Sequence, residues 1–448
     1  MKKLLKFLHC SGIFEARSAA CRISLLTAFF LLFLVACAPS FTAISVHQTN
    51  AVAPLIAPRW DEPDIAAHQA AHGANDFAFR LSAALVQEIA PEINNFIVSP
   101  YSVWMPLAAL LNATDEAHQS ALSDALGASG ISPEDVNRAA SRMLFNLTHE
   151  TEDRRAPVHI ANAVFVNRNS TIRPDFAQTF ADYFRGEMLR VDFQNPSAVN
   201  EINRWASNNT QGLIPEIVQD FHPDTEVAIA NAIFFSGRWS QQFNPARTRR
   251  DIFYSPSGER FAYFMETEWR GRPTNYFEDE RVQALTLPFD GGSGMTIILP
   301  KDGDAVGLLA SMTHEYFNRM HDDAVLAEGR LLLPRFTVEE TTIDLTDALV
   351  SLGVPLFDSD SAPLTGGIIE EDVPLWLFDA VQIATIEVDE EGVTAAAVTM
   401  LAVGGSAMPV PPEITFEMIC NRPFVFVLHS HTADGGRQVL FTGAVNAP

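Results

Sequence analysis

The stretch IEVDEEGVTAAAVT, residues 386–399, poses the first question. Two glutamates and a glycine lead into a run of very small residues. The run is too short for a good helix and too poor in large apolar side chains for an ordinary core strand. Counted by twos from the residue after Gly392, one face of an extended chain carries Val393, Ala395, Ala397, Thr399, Leu401, Val403 and Gly405. None is charged and none is large and polar. A charge on a strand entering a closed sheet would be buried without a partner, at a cost of several kcal/mol. The alternate positions, Thr394, Ala396, Val398, Met400 and Ala402, are uncharged too. Gly392 supplies backbone freedom where the chain must turn. Proline cannot donate to a ladder, and the first one beyond the glycine is Pro409, with Pro411 and Pro412 behind it. Residues 392–408 therefore read as a strand in waiting, a segment with two places to be.

The whole chain has 448 residues, 47% of them hydrophobic, which is enough to bury a large core. The N-terminus reads separately. Lys2, Lys3, Lys6, Arg17 and Arg22 precede the apolar run ISLLTAFFLLFLVA, residues 23–36. That run is shorter than the roughly 20 residues of a spanning helix and fits a signal sequence. It ends in LVAC (34–37), which resembles the lipobox of bacterial lipoproteins and marks Cys37 for lipidation. Plain cleavage near Ala36 to Ala38 and an uncleaved anchor are the alternatives. All three place the body of the protein outside the cytoplasm. Beyond residue 36, Cys37 and Cys420 are the remaining cysteines, so no internal disulfide is expected and Cys420 reads as a buried, inert thiol.

Without residues 1–36 the chain holds 25 basic and 54 acidic residues, a formal charge of −29, and Lys301 is its one lysine. Such a surface repels nucleic acid and anionic lipid. Residues 38 to about 58 have no periodicity and read as a tether. Helices are expected from Asp64 to Pro91 and at 103–112, 117–126, 174–184, 200–210 and 345–352. Strands are expected at 158–166, 227–235, 282–289, 295–300, 330–340 and 382–390, and in FVFVLH and VLFTGAV near the end. Helices early and strands late, without regular alternation, indicate α+β architecture. The expected layout is a signal over 1–36, a tether over 37–60 and one domain over 61–448.

No catalytic set stands out. GGSG (291–294) lacks the G-x-S-x-G spacing and lies between two strands, so Ser293 belongs to a hairpin turn. His68 and His72, and His429 and His431, have spacings that metal ligands can have. Neither pair has a third ligand in a recognisable pattern, and both read as solvated surface histidines. Glu370–Asp372 and Asp389–Glu391 read as solvated faces or strand ends. There is no phosphate-binding glycine loop, no CxxC and no HExxH. No metal, cofactor or enzymatic activity is expected.

Several stretches together resemble the serpin family across residues 64–448. They are NNFIVSPYSV (94–103), ATDEAHQSALSDALG (113–127), IANAVFV, VAIANAIFFSGRWSQQF with Asn231, Gly237 and Trp239, LPRFTVEETTIDLTDALVSLGVPLFD (333–358), IEVDEEGVTAAAVT, NRPFVFVL (421–428) and LFTGAVNAP (440–448). The resemblance implies a one-domain α+β fold with three β-sheets, eight or nine helices and an exposed reactive-centre loop, here about 390–412. It implies that a target protease cuts the loop and is held as an acyl-enzyme. The cut loop then enters the main sheet as a new central strand. The hinge maps onto Glu390, Glu391, Gly392, Val393, Thr394, Ala395, Ala396 and Ala397. With Glu390 as the hinge glutamate, the family's spacing of sixteen places the scissile bond at Ser406–Ala407, with Ala407–Met408 as runner-up. Met408–Pro409 is disfavoured, because most serine proteases do not cut before proline. A small residue at the cut suggests an elastase-like or subtilisin-like serine protease, with cysteine proteases a lesser class.

Three positions depart from the family pattern. Val393 stands where Thr or Ser is usual. The stretch from Met408 to Cys420 is longer than usual. The buried shutter beneath the sheet maps onto Ser99, Ser102 and Asn231, but its histidine is replaced by Gln382, which can both donate and accept. The expected protein is a monomeric inhibitor, held to the membrane by its N-terminal lipid. A non-inhibitory binding protein of the same fold is the alternative.

Overall fold

Ser99, Asp115 and Ser132 each stand just before a helix, and each side chain accepts a backbone N–H from the first turn, at Ser102, His118 and Asp135 respectively. Caps of this kind contribute about 1 kcal/mol each and fix where the helices start. The computed structural model describes residues 65–89, 95–149, 158–222, 224–378, 380–393, 415–432 and 435–448. Among these lie nine α-helices: α1 (Ile65–Ile89), α2 (Pro100–Leu110), α3 (Glu116–Ala125), α4 (Pro133–Thr148), α5 (Pro174–Phe184), α6 (Ser197–Asn209), α7 (Ala305–Ala310), α8 (His314–Asp322) and α9 (Thr346–Ser351). No helix among the described residues is long and apolar enough to cross a membrane. The signal run, Cys37 and the tether lie outside the described residues.

The described strands form three sheets, as expected. One holds β3 (Gly186–Val191), β2 (Val158–Asn167) and β4 (Val227–Phe235), in that order. A second runs β11 (Phe336–Asp344), β12 (Val381–Val388), β13 (Gly392–Val393), β5 (Gly237–Arg238). The largest starts with β1 (Asn95–Val98), β16 (Arg437–Val445), β15 (Phe424–His431) and β9 (Ser293–Pro300). It goes on through β8 (Val282–Pro288), β7 (Gly258–Glu278), β10 (Val325–Pro334) and β14 (Phe416–Ile419), with β6 (Arg249–Ser255) on β7.

Strand β2 is buried on both faces. Val164 and Val166 join the main core, while Ala163 and Phe165 join a smaller cluster with Ala198 and Ile202 of α6. Residues 330–340, expected as one strand, are two strands in different sheets. Pro334 has no N–H, and the ladder between β10 and β7 ends there. The chain then leaves through Arg335 to start β11. The turn between β8 and β9 is made at Gly291 and Gly292, at positive φ of 89° and 87°, while Ser293, expected in the turn, is the first residue of β9.

Candidate functional site

The first four residues of the expected hinge, Glu390 to Val393, form a built turn and strand. Beyond β12 the chain reverses through residues 389–391. Asp389 Oδ1 accepts the N–H groups of Glu391 (2.8 Å) and Gly392 (3.1 Å). Glu390 is only 4% exposed. Its carboxylate accepts from Arg335 Nε at 2.8 Å and Nη2 at 2.7 Å, and from the Thr248 hydroxyl. Burial pushes the Glu390 carboxyl up, but Arg335 and Thr248 outweigh it and hold the group below the ordinary glutamate value. Trp239 braces the turn from below. Its indole N–H donates to Asp389 O at 2.9 Å while its ring stacks on Phe289 at 4.2 Å.

The reversed chain becomes β13, antiparallel to both neighbours. Val393 stands opposite Val388 of β12, and Gly392 and Val393 stand opposite Arg238 and Gly237 of β5. A side chain at position 392 would place its Cβ 2.0 Å from Gly237 O, so the close approach of the two backbones requires glycine there. Val393 is 1% exposed and points into the core. The residue that departs from the family pattern is thus already an inward-facing strand residue.

Below Val393 the sheet is open. Strand β5 prolongs the line of β4 beyond Ser236, yet no register joins β4 to β12 among the described residues. Between them lies an open cleft, bordered by Ile233 and Phe235 on one side and Ala384 and Ile386 on the other. Its lining includes no charged residue.

Helix α2 carries hydrogen bonds to both sides of the gap. Toward β12, the Ser99 N–H donates to Gln382 Oε1 at 2.7 Å, and Gln382 Nε2 donates back to Ser99 O at 2.9 Å. Toward β4, the Ser102 hydroxyl donates to Asn231 Oδ1, and Asn231 Nδ2 donates to Asn162 Oδ1 at 2.6 Å. Gln382 therefore satisfies both backbone groups of Ser99, using the donor and acceptor of one amide. The four expected shutter residues meet in one network. Asn162 of β2 is a member that the sequence reading lacked, as were Arg335 and Thr248 at the hinge.

A family model described as Serpin (serine protease inhibitor) matches residues 72–448. The chain belongs to the serpin family. Iripin-5 of Ixodes ricinus is 31% identical over 83% of this serpin and 93% of its own length. Serine protease inhibitor A3K of Mus musculus is 29% identical, over 83% and 87%. The crystal structure of the thermophilic serpin tengpin in the native state superposes with a TM-score of 0.72 and 26% identity, over 84% of this chain and 94% of that one.

Other expected sites fall differently in the serpin. Thr394 to Ala397 and the bonds at Ser406, Ala407 and Met408 lie outside the described residues. Cys420 is fully buried, and burial pushes its thiol up to about 12. His429, read from sequence as solvated, is fully buried. Its Nε2 lies 3.0 Å from Thr296 Oγ1, and burial drives its pKa well down. It faces inward because β15 is covered on both faces, so alternation leaves it no exposed side. His72 is exposed, but the fold brings it two partners from outside its own sequence pair, Asp76 and His314.

Proposed function

We propose that this serpin is an irreversible inhibitor of serine-type endopeptidases, acting by acyl-enzyme trapping and loop insertion. The observation that carries the reading is β13: two residues of the loop already seated between β12 and β5, above a gap that neither β12 nor β4 closes. Carrying the register of Val393 onward by twos would set Ala395 between Phe235 and Ile386. Ala397 would fall between Ile233 and Ala384, and Thr399 between Asn231 and Gln382 at the shutter. Every one of these inward positions is small or uncharged, which is what an apolar cleft admits at low cost.

Insertion would add ladder hydrogen bonds along both edges, each contributing about 0.5–1.5 kcal/mol, and bury apolar loop side chains. A fold with its sheet open is then the less stable form, kept by a kinetic barrier until the loop is cut. The likeness to tengpin in its native state, and to a relative named as a serine protease inhibitor, supports this reading. The scissile bond is Ser406–Ala407, the target an elastase-like or subtilisin-like protease, and the protein an exported monomer tethered through Cys37.

The test is incubation of the purified protein with pancreatic elastase and with subtilisin, followed by denaturing gels. A covalent band at the combined mass, with loss of protease activity, is the expected result. Clean cleavage near Ser406 with full protease activity retained would sink the inhibitory reading and leave a non-inhibitory serpin.

A further inference from the structure

Helix α1 carries His72 and Asp76 one turn apart on the same face. The start of α8 lies against it and brings His314, more than two hundred residues away in the chain, into the same place. One ligand atom from each of the three lies within 4.8 Å of the other two. His314 Nδ1 and Asp76 Oδ1 are 3.2 Å apart. Two ligands of a tetrahedral ion with bonds of about 2.0–2.1 Å stand about 3.3 Å apart, so this pair is already at coordination spacing. The His72 and His314 rings are 4.3 Å apart between centroids.

We propose that His72, Asp76 and His314 form a binding site for one zinc-class divalent ion, clipping α1 to α8. His314 is 4% exposed and is the fixed member, held by helix geometry and by Asn318 Nδ2, 2.9 Å from its Nε2. His72 and Asp76 are exposed, so their side chains have room to turn toward a shared ion. Coordination through His314 Nδ1 puts the ring proton on Nε2, and a half-turn of the Asn318 amide presents its oxygen to that proton. That is the outer-shell support imidazole ligands normally have.

The donor set decides the metal. Two imidazole nitrogens and one carboxylate oxygen, with a fourth position left for water, suit zinc, cobalt or nickel, whereas calcium and magnesium require oxygen ligands. None of the three residues lines the cleft between β4 and β12, so the clip acts on the stability of the body and is separable from loop insertion.

The experiment uses the full-length protein, purified without a histidine tag and stripped with chelator. Zinc is titrated against a chromophoric competitor, and Co2+ is added in parallel for its visible spectrum. The wild type is expected to take up one equivalent with micromolar or tighter affinity, and to show the intense bands of tetrahedral cobalt. Its thermal midpoint should rise with zinc. His72→Ala and Asp76→Asn should each weaken binding by about 10-fold or more, and His72→Ala should melt like the metal-free wild type. Failure of the wild type to bind, or wild-type affinity in His72→Ala, overturns the proposal; the latter would place any bound zinc on other histidines.

Discussion

Replacing Ala397 with glutamate should turn the protein from an inhibitor into a substrate. By the register of β13, Ala397 would enter the cleft between Ile233 and Ala384, where no charged side chain borders the space. An unpaired carboxylate buried there costs several kcal/mol after relaxation. On the proposed mechanism, insertion and deacylation compete for the same acyl-enzyme, so what matters is the share of that cost felt in the insertion transition state. If about 2 kcal/mol is felt, insertion slows roughly 30-fold. The excess over one in the number of inhibitor molecules consumed per protease silenced should then rise roughly 30-fold. The assay titrates the protein into a fixed amount of whichever protease the wild type traps, measures residual activity, and follows the products on denaturing gels. Thr394→Lys is the control. In the inserted strand its side chain would alternate to the opposite face, beside the exposed Glu387 if the register of Val393 continues, so trapping should stay near wild type. Ala397→Glu trapping protease at the wild-type ratio would refute the register, and so would Thr394→Lys failing as badly as Ala397→Glu.

Two further perturbations probe the parts that hold the loop and the gap. Glu390→Gln should lower the thermal midpoint at pH 7, by the worth of a buried charge-assisted pair, about 1.5–3 kcal/mol. Because the folded-state pKa of Glu390 lies below the ordinary 4.5, its contribution is present above that pH and is lost as pH falls through the depressed value. The gap between wild type and variant should therefore close on acidification, and an equal gap at pH 7 and below pH 4 would contradict the clasp. Gln382→Ala strands both buried backbone groups of Ser99, at roughly 1–3 kcal/mol for each group left unsatisfied, so its denaturation midpoint should fall well below that of wild type. An unchanged midpoint would remove Gln382 from the shutter.

Much of the fold was legible because its signals are local. The helices expected at 117–126 and 174–184 and the long apolar strands of the C-terminal half carry their own evidence. Helix α4 was legible too and was missed: Ser132 caps it, Pro133 sits at its first turn, and Val136, Ala139, Ala140, Met143, Leu144 and Leu147 are among its buried positions. The break at Arg335 was harder, since apolar residues run through it, and only the lost N–H of Pro334 marks the change of sheet. The hinge was readable as composition, because a strand awaiting insertion must lack charge and bulk whatever its surroundings. Its clasp was not. Nothing near Glu390 in sequence points to Arg335 or Thr248, which reach it from other strands. For the same reason His429 read as polar and hence solvated, and His72 as lacking a third ligand. In both, the deciding neighbours come from far along the chain.

The central claim is that the gap between β4 and β12 is the berth of the cut loop. A crystal structure of the protein after limited cleavage at the loop tests it most directly. The account predicts one continuous strand running on from Val393, hydrogen-bonded to β12 and β4 at once, with Ala397 between Ile233 and Ala384. A cleaved protein whose β4 and β12 remain unjoined, with the cut loop outside the sheet, would contradict it.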